Sequence, residues 1–291
     1  MLNPQQMAAV RYLDGPLLVL AGAGSGKTSV ITQKMAYLIQ QCGYAPHQVY
    51  AVTFTNKAAQ EMKQRVRSVL SGASRRGLKV ATFHTLGLSI IKRDVARCGL
   101  KPGFSIFDAE DSADLLRGLF PSGRGQLREI VESVRHQLSQ WKNAGKNPGD
   151  PSLGAEHEEA ASLYPRYQEA LRAYNAVDFD DLIALPAQLL EEHAECREHW
   201  QNKIRHLLVD EYQDSNDAQY RLVKLLVGVR AQFTVVGDDD QSIYAWRGAT
   251  PENLTQLKQD YPALHVIKLE QNYRSTGRIL EAANQLILNN P

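Results

Sequence analysis

Leu17-Leu18-Val19-Leu20-Ala21-Gly22-Ala23-Gly24-Ser25-Gly26-Lys27-Thr28 is the stretch whose reading decides the fold. Its apolar start reads as a short buried strand, its glycine run as a tight turn, and residues 29–40 as a helix behind that turn. Strand, glycine loop, Lys-Thr and helix in this order make a P-loop. Gly22, Gly24 and Gly26 allow the backbone to fold tightly enough to aim its N–H groups at phosphate oxygens. The helix N-terminus adds partial positive charge. In this reading Ala21, Gly22, Ala23, Gly24, Ser25 and Gly26 cradle phosphates. Lys27 reaches the β- and γ-phosphates, and Thr28 sets its hydroxyl on Mg²⁺. One position departs from G-x-x-x-x-G-K-[ST]: the first glycine is Ala21.

Outward from this loop, alternating strand and helix signals continue. Residues 3–13 read as a helix that Gly15-Pro16 ends. Residues 49–54 and 80–83 read as buried strands, with a helix over 57–70 between them. The alternation predicts a parallel sheet covered by helices on both faces. From about residue 86 to 202 the pattern becomes helical with little strand signal. Asp108 is a plausible N-cap for a helix over 109–120. Helices are expected over 127–141, 155–174 and 181–194, with Pro165 and Pro186 kinking or splitting the last two. Strand signals return at 206–209, 233–236 and 266–269, a helix over 217–227 separates the first two, and residues 277–290 read as a final helix.

Composition narrows the class. The chain has 291 residues, 43% hydrophobic content and a formal net charge of +1. That charge announces no nucleic-acid binder, so any basic surface has to be local. No apolar run approaches the ~20 residues needed to span a bilayer, and the N-terminus has no signal pattern. Cys42, Cys98 and Cys196 form no C-x-x-C pair and read as reduced thiols of a cytoplasmic protein.

A second chemical element lies at Leu207-Leu208-Val209-Asp210-Glu211. Two carboxylates at the end of a buried strand stand where an open parallel sheet places its ligand chemistry. A hydrolytic nucleoside triphosphatase needs one carboxylate to hold Mg²⁺ and another to polarise the attacking water. Asp210 fits the first role and Glu211 the second.

At Asp210-Glu211-Tyr212-Gln213-Asp214 a family becomes visible. The chain resembles superfamily 1 DNA helicases of the Rep/UvrD/PcrA type, the Rep branch most. The likeness covers essentially the whole chain and rests on ordered motifs. These include Leu2-Asn3-Pro4-Gln5-Gln6, the P-loop with its Ala21, Ala51-Val52-Thr53-Phe54-Thr55-Asn56-Lys57-Ala58-Ala59, Thr82-Phe83-His84-Thr85 and Asp178-Phe179-Asp180-Asp181-Leu182. Val236-Gly237-Asp238-Asp239-Asp240-Gln241-Ser242-Ile243-Tyr244-Ala245-Trp246-Arg247-Gly248 and Gln271-Asn272-Tyr273-Arg274-Ser275 complete the set.

The resemblance implies a RecA-like motor domain with a helical insertion, ATP and Mg²⁺ as cofactors, and single-stranded DNA and single-strand/duplex junctions as partners. Gln6 would read the adenine edge and Tyr273 would stack on the ring. Gln241 would touch the γ-phosphate or the attacking water, and Arg274 the γ-phosphate. Relatives place an arginine where this chain has Ser29, so stacking on one adenine face is expected. Base stacking would come from Phe54, Phe179, Tyr244 and Trp246. Thr55, Asn56, Thr82, His84 and Arg247 would make backbone or coupling contacts. The acids around Phe179 are expected to cap the following helix or pair with basic residues.

The expected organisation is a motor domain in two parts, residues 1–88 and 203–275, an insertion over 89–202, and the start of a second motor domain at 276–291. The implied function is 3′-to-5′ helicase or translocase work in replication or repair, with proteins of those processes as further partners. The motor part of a helicase–nuclease subunit is the alternative. By itself the chain is expected to bind nucleotide weakly, hydrolyse it poorly and not unwind DNA. Neither oligomeric state nor pathway is legible in these residues.

Overall fold

A computed structural model describes residues 2–72, 76–121, 127–154, 157–238, 250 and 252–287, without the side chain of Asn284. In chain order its elements are α1 (Pro4–Arg11), β1 (Leu17–Ala21), α2 (Lys27–Gln40), β2 (Val49–Thr53), α3 (Asn56–Val69), β3 (Lys79–Thr82), α4 (Phe83–Arg93), β4 (Ser105–Phe107), α5 (Ala109–Leu119) and α6 (Leu127–Asn143). They continue as α7 (Glu158–Ala173), β5 (Ala176–Asp178), α8 (Asp181–Glu192), α9 (Ala194–Lys203), β6 (His206–Val209), α10 (Asp217–Val227), β7 (Phe233–Gly237), α11 (Glu252–Asp260), β8 (His265–Leu269) and α12 (Gly277–Ile287). Two compact units result. One contains Met1–Thr82, Trp200–Ser215 and Leu226–Pro291, and the other Phe83–His199 and Asn216–Leu225.

The first unit is built on a six-stranded sheet in the order β3-β2-β6-β7-β1-β8. Every pairing in it is parallel. The residues of β2, β6 and β7 are all buried, which is why these strands read as continuous apolar runs rather than as alternation. The edge strands β3 and β8 carry exposed residues such as Lys79, His265 and Val266. Leu17, Val19, Val30, Ile31, Met35, Leu38, Val49, Met62, Val66, Leu208 and Val236 belong to one buried cluster that joins α2 and α3 to the sheet. Two strands from late in the sequence, β6 and β7, lie between β2 and β1. Parallel direction then puts the C-terminal ends of β1, β2, β6, β7 and β8 on one edge of the sheet. This is the α/β, RecA-like architecture.

Polar groups in this unit have local partners. Asn3 caps α1, with Asn3 and Gln6 bonding reciprocally across its first turn. Lys34, fully buried, donates to the carbonyls of Ala9 (2.9 Å) and Tyr12 (2.6 Å) and so satisfies the end of α1. Burial pulls its pKa down to about 7.

The second unit is mainly helical. Leu116, Val131, Val134, Leu138, Trp141, Leu163, Tyr164, Tyr167 and Leu171 form its core. Asp108 caps α5 as its sequence indicates, accepting from the N–H groups of Glu110 and Asp111. Two readings need correction. Two short strands, β4 and β5, pair in parallel inside the stretch that showed little strand signal. Phe83 opens a helix rather than ending a strand. Of the two outcomes expected at Pro165 and Pro186, splitting does not occur: each sits inside a continuous helix. Cys42, Cys98 and Cys196 are free. Among the described residues no helix is long and apolar enough to cross a membrane.

Candidate nucleotide and nucleic-acid sites

The glycine loop leaves β1 at Ala21 and enters α2 at Lys27. Gly24 (φ +74°) and Gly26 (φ +89°) take left-handed backbone that a side chain would strain. Space forbids a side chain as well. A Cβ on Gly24 would lie 2.6 Å from Arg274 Cβ, and one on Gly26 would lie 2.7 Å from Gln6 Nε2. Residues 271–275, following β8, therefore lie directly against the loop. Tyr273 N donates to the Gly24 carbonyl at 2.9 Å, and Asn272 Nδ2 donates to the Ala23 carbonyl. Asn272 Oδ1 in turn accepts the N–H groups of Arg274 and Ser275. Asn3 Nδ2 donates to the Tyr273 hydroxyl at 2.9 Å.

Gln6 is buried, and its Nε2 donates to the Ser25 carbonyl at 2.8 Å. Its amide keeps one further N–H for another acceptor.

Lys27 is 8% exposed. Its ammonium lies 3.2 Å from Glu211 Oε2 and 3.9 Å from Asp238 Oδ2. Neither approach has hydrogen-bond geometry, so this buried donor has no hydrogen-bond acceptor among the described residues. Two carboxylates balance its charge at these distances, and its N–H groups are left for a hydrogen-bonding acceptor such as a phosphate oxygen. Next to it is a cavity of about 290 Å³ lined by Ala23, Gly24, Gly26, Lys27, Thr28, Ser29, Arg65, Glu211, Tyr273 and Arg274. A polyphosphate fits this donor set: loop N–H groups, the Lys27 ammonium and two guanidinium groups all favour anionic oxygen.

The carboxylates come from the neighbouring strand tips. Asp210 follows β6, is buried, and its N–H bonds to Val52 O. Burial, and then the like charge of Glu211, pushes its pKa up to about 7. A divalent cation would supply the positive charge that this carboxylate lacks. Glu211 has φ +51°, a left-handed backbone uncommon for a non-glycine residue. Its carboxylate points to Lys27 and accepts from Gln213 Nε2 at 2.9 Å.

Asp238 and Gln213 were not singled out from the sequence, nor were Arg65 and Asn272. Asp238 ends an apolar strand just as Asp210 does, and the same reasoning applied to Val235-Val236-Gly237-Asp238 would have found it. Arg65 gives no local signal. It lies mid-helix in α3 and reaches the cavity only through the packing of α3 on the sheet.

The nucleic-acid candidates divide between the units. In the first, Phe54 is half-buried beyond the end of β2, with Thr55 and Asn56 exposed beside it. The Thr55 hydroxyl accepts from Ala58 N as the cap of α3. Thr82 is the buried last residue of β3. In the second unit, the Phe179 ring is 54% exposed and meets His84 edge-on, with centroids 5.8 Å apart. Burial lowers the pKa of His84.

The acids flanking Phe179 turn inward. Lys142 Nζ lies 2.6 Å from Asp178 and 2.7 Å from Asp181. Asp178 and Asp181 exchange backbone-to-carboxylate hydrogen bonds across the start of α8, and Asp180 accepts from Asn143. This inward pairing leaves the aromatic ring alone at the surface. Gln241, Tyr244, Trp246 and Arg247 lie outside the described residues.

Comparison with known proteins adds ancestry to this geometry. A family model described as the UvrD/REP helicase N-terminal domain matches residues 2–262. The chain is 58% identical over its whole length to the ATP-dependent DNA helicase Rep of Salmonella typhimurium strain LT2, and 57% identical to that of Escherichia coli strain K12. It is 42% identical over 99% of its length to the ATP-dependent DNA helicase PcrA of Staphylococcus aureus. The chain spans 44% of the length of the two Rep proteins and 40% of that of PcrA.

Proposed function

The chain belongs to the UvrD/REP helicase N-terminal domain family, and from that premise we propose that it is the nucleotide-binding motor part of an ATP-dependent DNA helicase. The observation that carries this reading is the buried Lys27 ammonium, without a hydrogen-bond acceptor among the described residues, beside a cavity of about 290 Å³ lined by the glycine loop, Glu211, Tyr273 and Arg274. Loop amides of residues 22–26 and Lys27 hold the β- and γ-phosphates. Thr28 and Asp210 hold Mg²⁺, which offsets charge on the phosphates when bound. Glu211 orients the attacking water and takes its proton. Arg274 and Gln241 approach the γ-phosphate, where a guanidinium stabilises developing charge. Tyr273 stacks on adenine and Gln6 pairs with its edge. With Ser29 on the other side, stacking is one-sided.

Single-stranded DNA is held by Phe54, Phe179, Tyr244 and Trp246, with Thr55, Asn56, Thr82, His84 and Arg247 along its backbone. The whole protein moves 3′ to 5′ on one strand and opens single-strand/duplex junctions in replication or repair, in the cytoplasm.

Lys27→Ala tests the reading. In the full-length protein it removes ATP hydrolysis stimulated by oligo-dT while the circular dichroism spectrum is unchanged. A variant that keeps most of its turnover removes Lys27 from the mechanism. Failure of the wild-type protein to bind labelled oligo-dT at low salt removes the DNA half of the reading.

A further inference from the structure

Between the acidic tip of β6 and the tip of β7 lies one side chain that the proposed reaction has not used. Gln213 is 3% exposed, on the single 3₁₀ turn Tyr212–Asp214 that follows Glu211. Its amide is used at both ends. Nε2 donates to Glu211 Oε2 at 2.9 Å, and Oε1 accepts the backbone N–H of Asp238 at 3.1 Å. The fit at β7 is close: a Cβ on Gly237 would lie 3.1 Å from Gln213 Oε1.

We propose that Gln213 is a positioning residue. Its amide ties the Glu211 carboxylate to the backbone at the tip of β7 and so fixes where that carboxylate stands relative to the Lys27 ammonium. The proposal rests on the reading of Glu211 as the group that acts on the attacking water.

The chemistry selects glutamine. The bridge needs a donor facing a carboxylate and an acceptor facing a backbone N–H, on one side chain long enough to span both. A primary amide supplies both at once. Glutamate lacks the donor and would set a second negative charge against Glu211. Methionine keeps the length and supplies neither.

Glu211 needs such a tether. Its backbone is in the left-handed region (φ +51°, ψ 44°), a conformation that persists only where its surroundings impose it. Its side chain is 38% exposed, so packing alone does not hold it. The pull of Lys27 at 3.2 Å draws the carboxylate towards the ammonium, and the β7 tether resists that pull from the other side. When phosphates take over Lys27, the tether remains and Glu211 keeps its place.

The test compares full-length wild type with Gln213→Met, Gln213→Glu, Glu211→Gln and the double variant Glu211→Gln/Gln213→Met. ATP turnover with saturating oligo-dT is measured as kcat and KM, together with binding of a fluorescent ATP analogue and the unfolding midpoint. A hydrogen bond to a charged group is worth enough that kcat of Gln213→Met should fall roughly tenfold to hundredfold. Analogue affinity and KM should stay within about twofold, and Gln213→Glu should be the worse of the two. In the Glu211→Gln background, Gln213→Met should cost almost nothing further, because the group it positions is already gone.

Unchanged kcat in Gln213→Met overturns the proposal. So does a loss of analogue binding that matches the loss of kcat. A full second loss on top of Glu211→Gln also overturns it, because Gln213 would then act elsewhere. A wild-type protein with no ATP turnover, or one whose turnover survives Lys27→Ala, overturns this proposal together with the function on which it rests.

Discussion

Gly87 lies in the middle of α4, where alanine would ordinarily be the better residue by about 1 kcal/mol. Here the geometry reverses the sign. An ideal Cβ on Gly87 would stand 1.8 Å from the carbonyl oxygen of Leu182, 3.0 Å from its carbon and 3.3 Å from Pro186 Cγ. The obstacle is backbone and cannot rotate away. Leu182 is four residues before Pro186, so its carbonyl faces a proline that has no N–H to donate. That carbonyl turns instead to the bare Cα of Gly87, where a Cα–H···O contact is available. To restore an ordinary separation of roughly 3.3 Å, α4 and α8 would have to part by about 1.5 Å, and overpacking of this kind costs typically ~1–3 kcal/mol. With an immovable partner the upper end applies. After subtraction of the helix-propensity gain, Gly87→Ala should destabilise the chain by about 2 kcal/mol, or roughly 4–8 °C in Tm.

Gly118 supplies the control. It lies near the end of α5, and a Cβ added there would meet nothing within 4 Å, so Gly118→Ala should stabilise by up to ~1 kcal/mol. Scanning calorimetry of the two variants against wild type decides the matter. A Gly87→Ala protein that melts at or above the wild-type temperature would refute the close approach of α4 to α8.

Two further predictions concern buried charge. His206 is fully buried, with Nε2 3.2 Å from Thr234 Oγ1, and burial, followed by Lys34, pulls its pKa down to about 3. Between pH 6.5 and about 3 the unfolded chain holds a proton that the folded chain refuses. Stability should therefore fall with falling pH, by up to about 1.4 kcal/mol per unit from this group. His206→Leu should flatten that slope in urea titrations, and an unchanged slope would exclude His206 as its source. Lys142→Met strips the counter-ion from the buried Asp178 and Asp181 and should cost about 3–5 kcal/mol at pH 7. The loss should shrink towards pH 4 as the two carboxylates take up protons, and added Asp178→Asn and Asp181→Asn should restore part of it. A loss that does not vary with pH would show that packing, not charge, is at stake.

Local order was legible wherever residues adjacent in sequence decide it. The P-loop needs a strand, three glycines and a helix start in succession, and residues 17–40 state them in that order. The Asp108 cap and the apolar runs of β1, β2, β6 and β7 are equally local. Three-residue strands such as β4 and β5 are too short to show a period of two, so they left no trace. The unbroken α8 is explained by a partner distant in sequence, since Gly87 on α4 gives the freed Leu182 carbonyl somewhere to go.

The sequence by itself determined which residues are candidates for phosphate and carboxylate chemistry, because those residue types stand at strand ends that their own neighbours specify. Tertiary structure decided which of them meet. The strand order β3-β2-β6-β7-β1-β8 brings Glu211 and Asp238 to Lys27 from the far end of the chain, and the loop after β8 sets Asn272, Tyr273 and Arg274 against the glycines. Strand order follows from how all the apolar faces pack together. No single stretch contains that information, so Arg65, Gln213 and Asn272 took their places at the site only once the chain had folded.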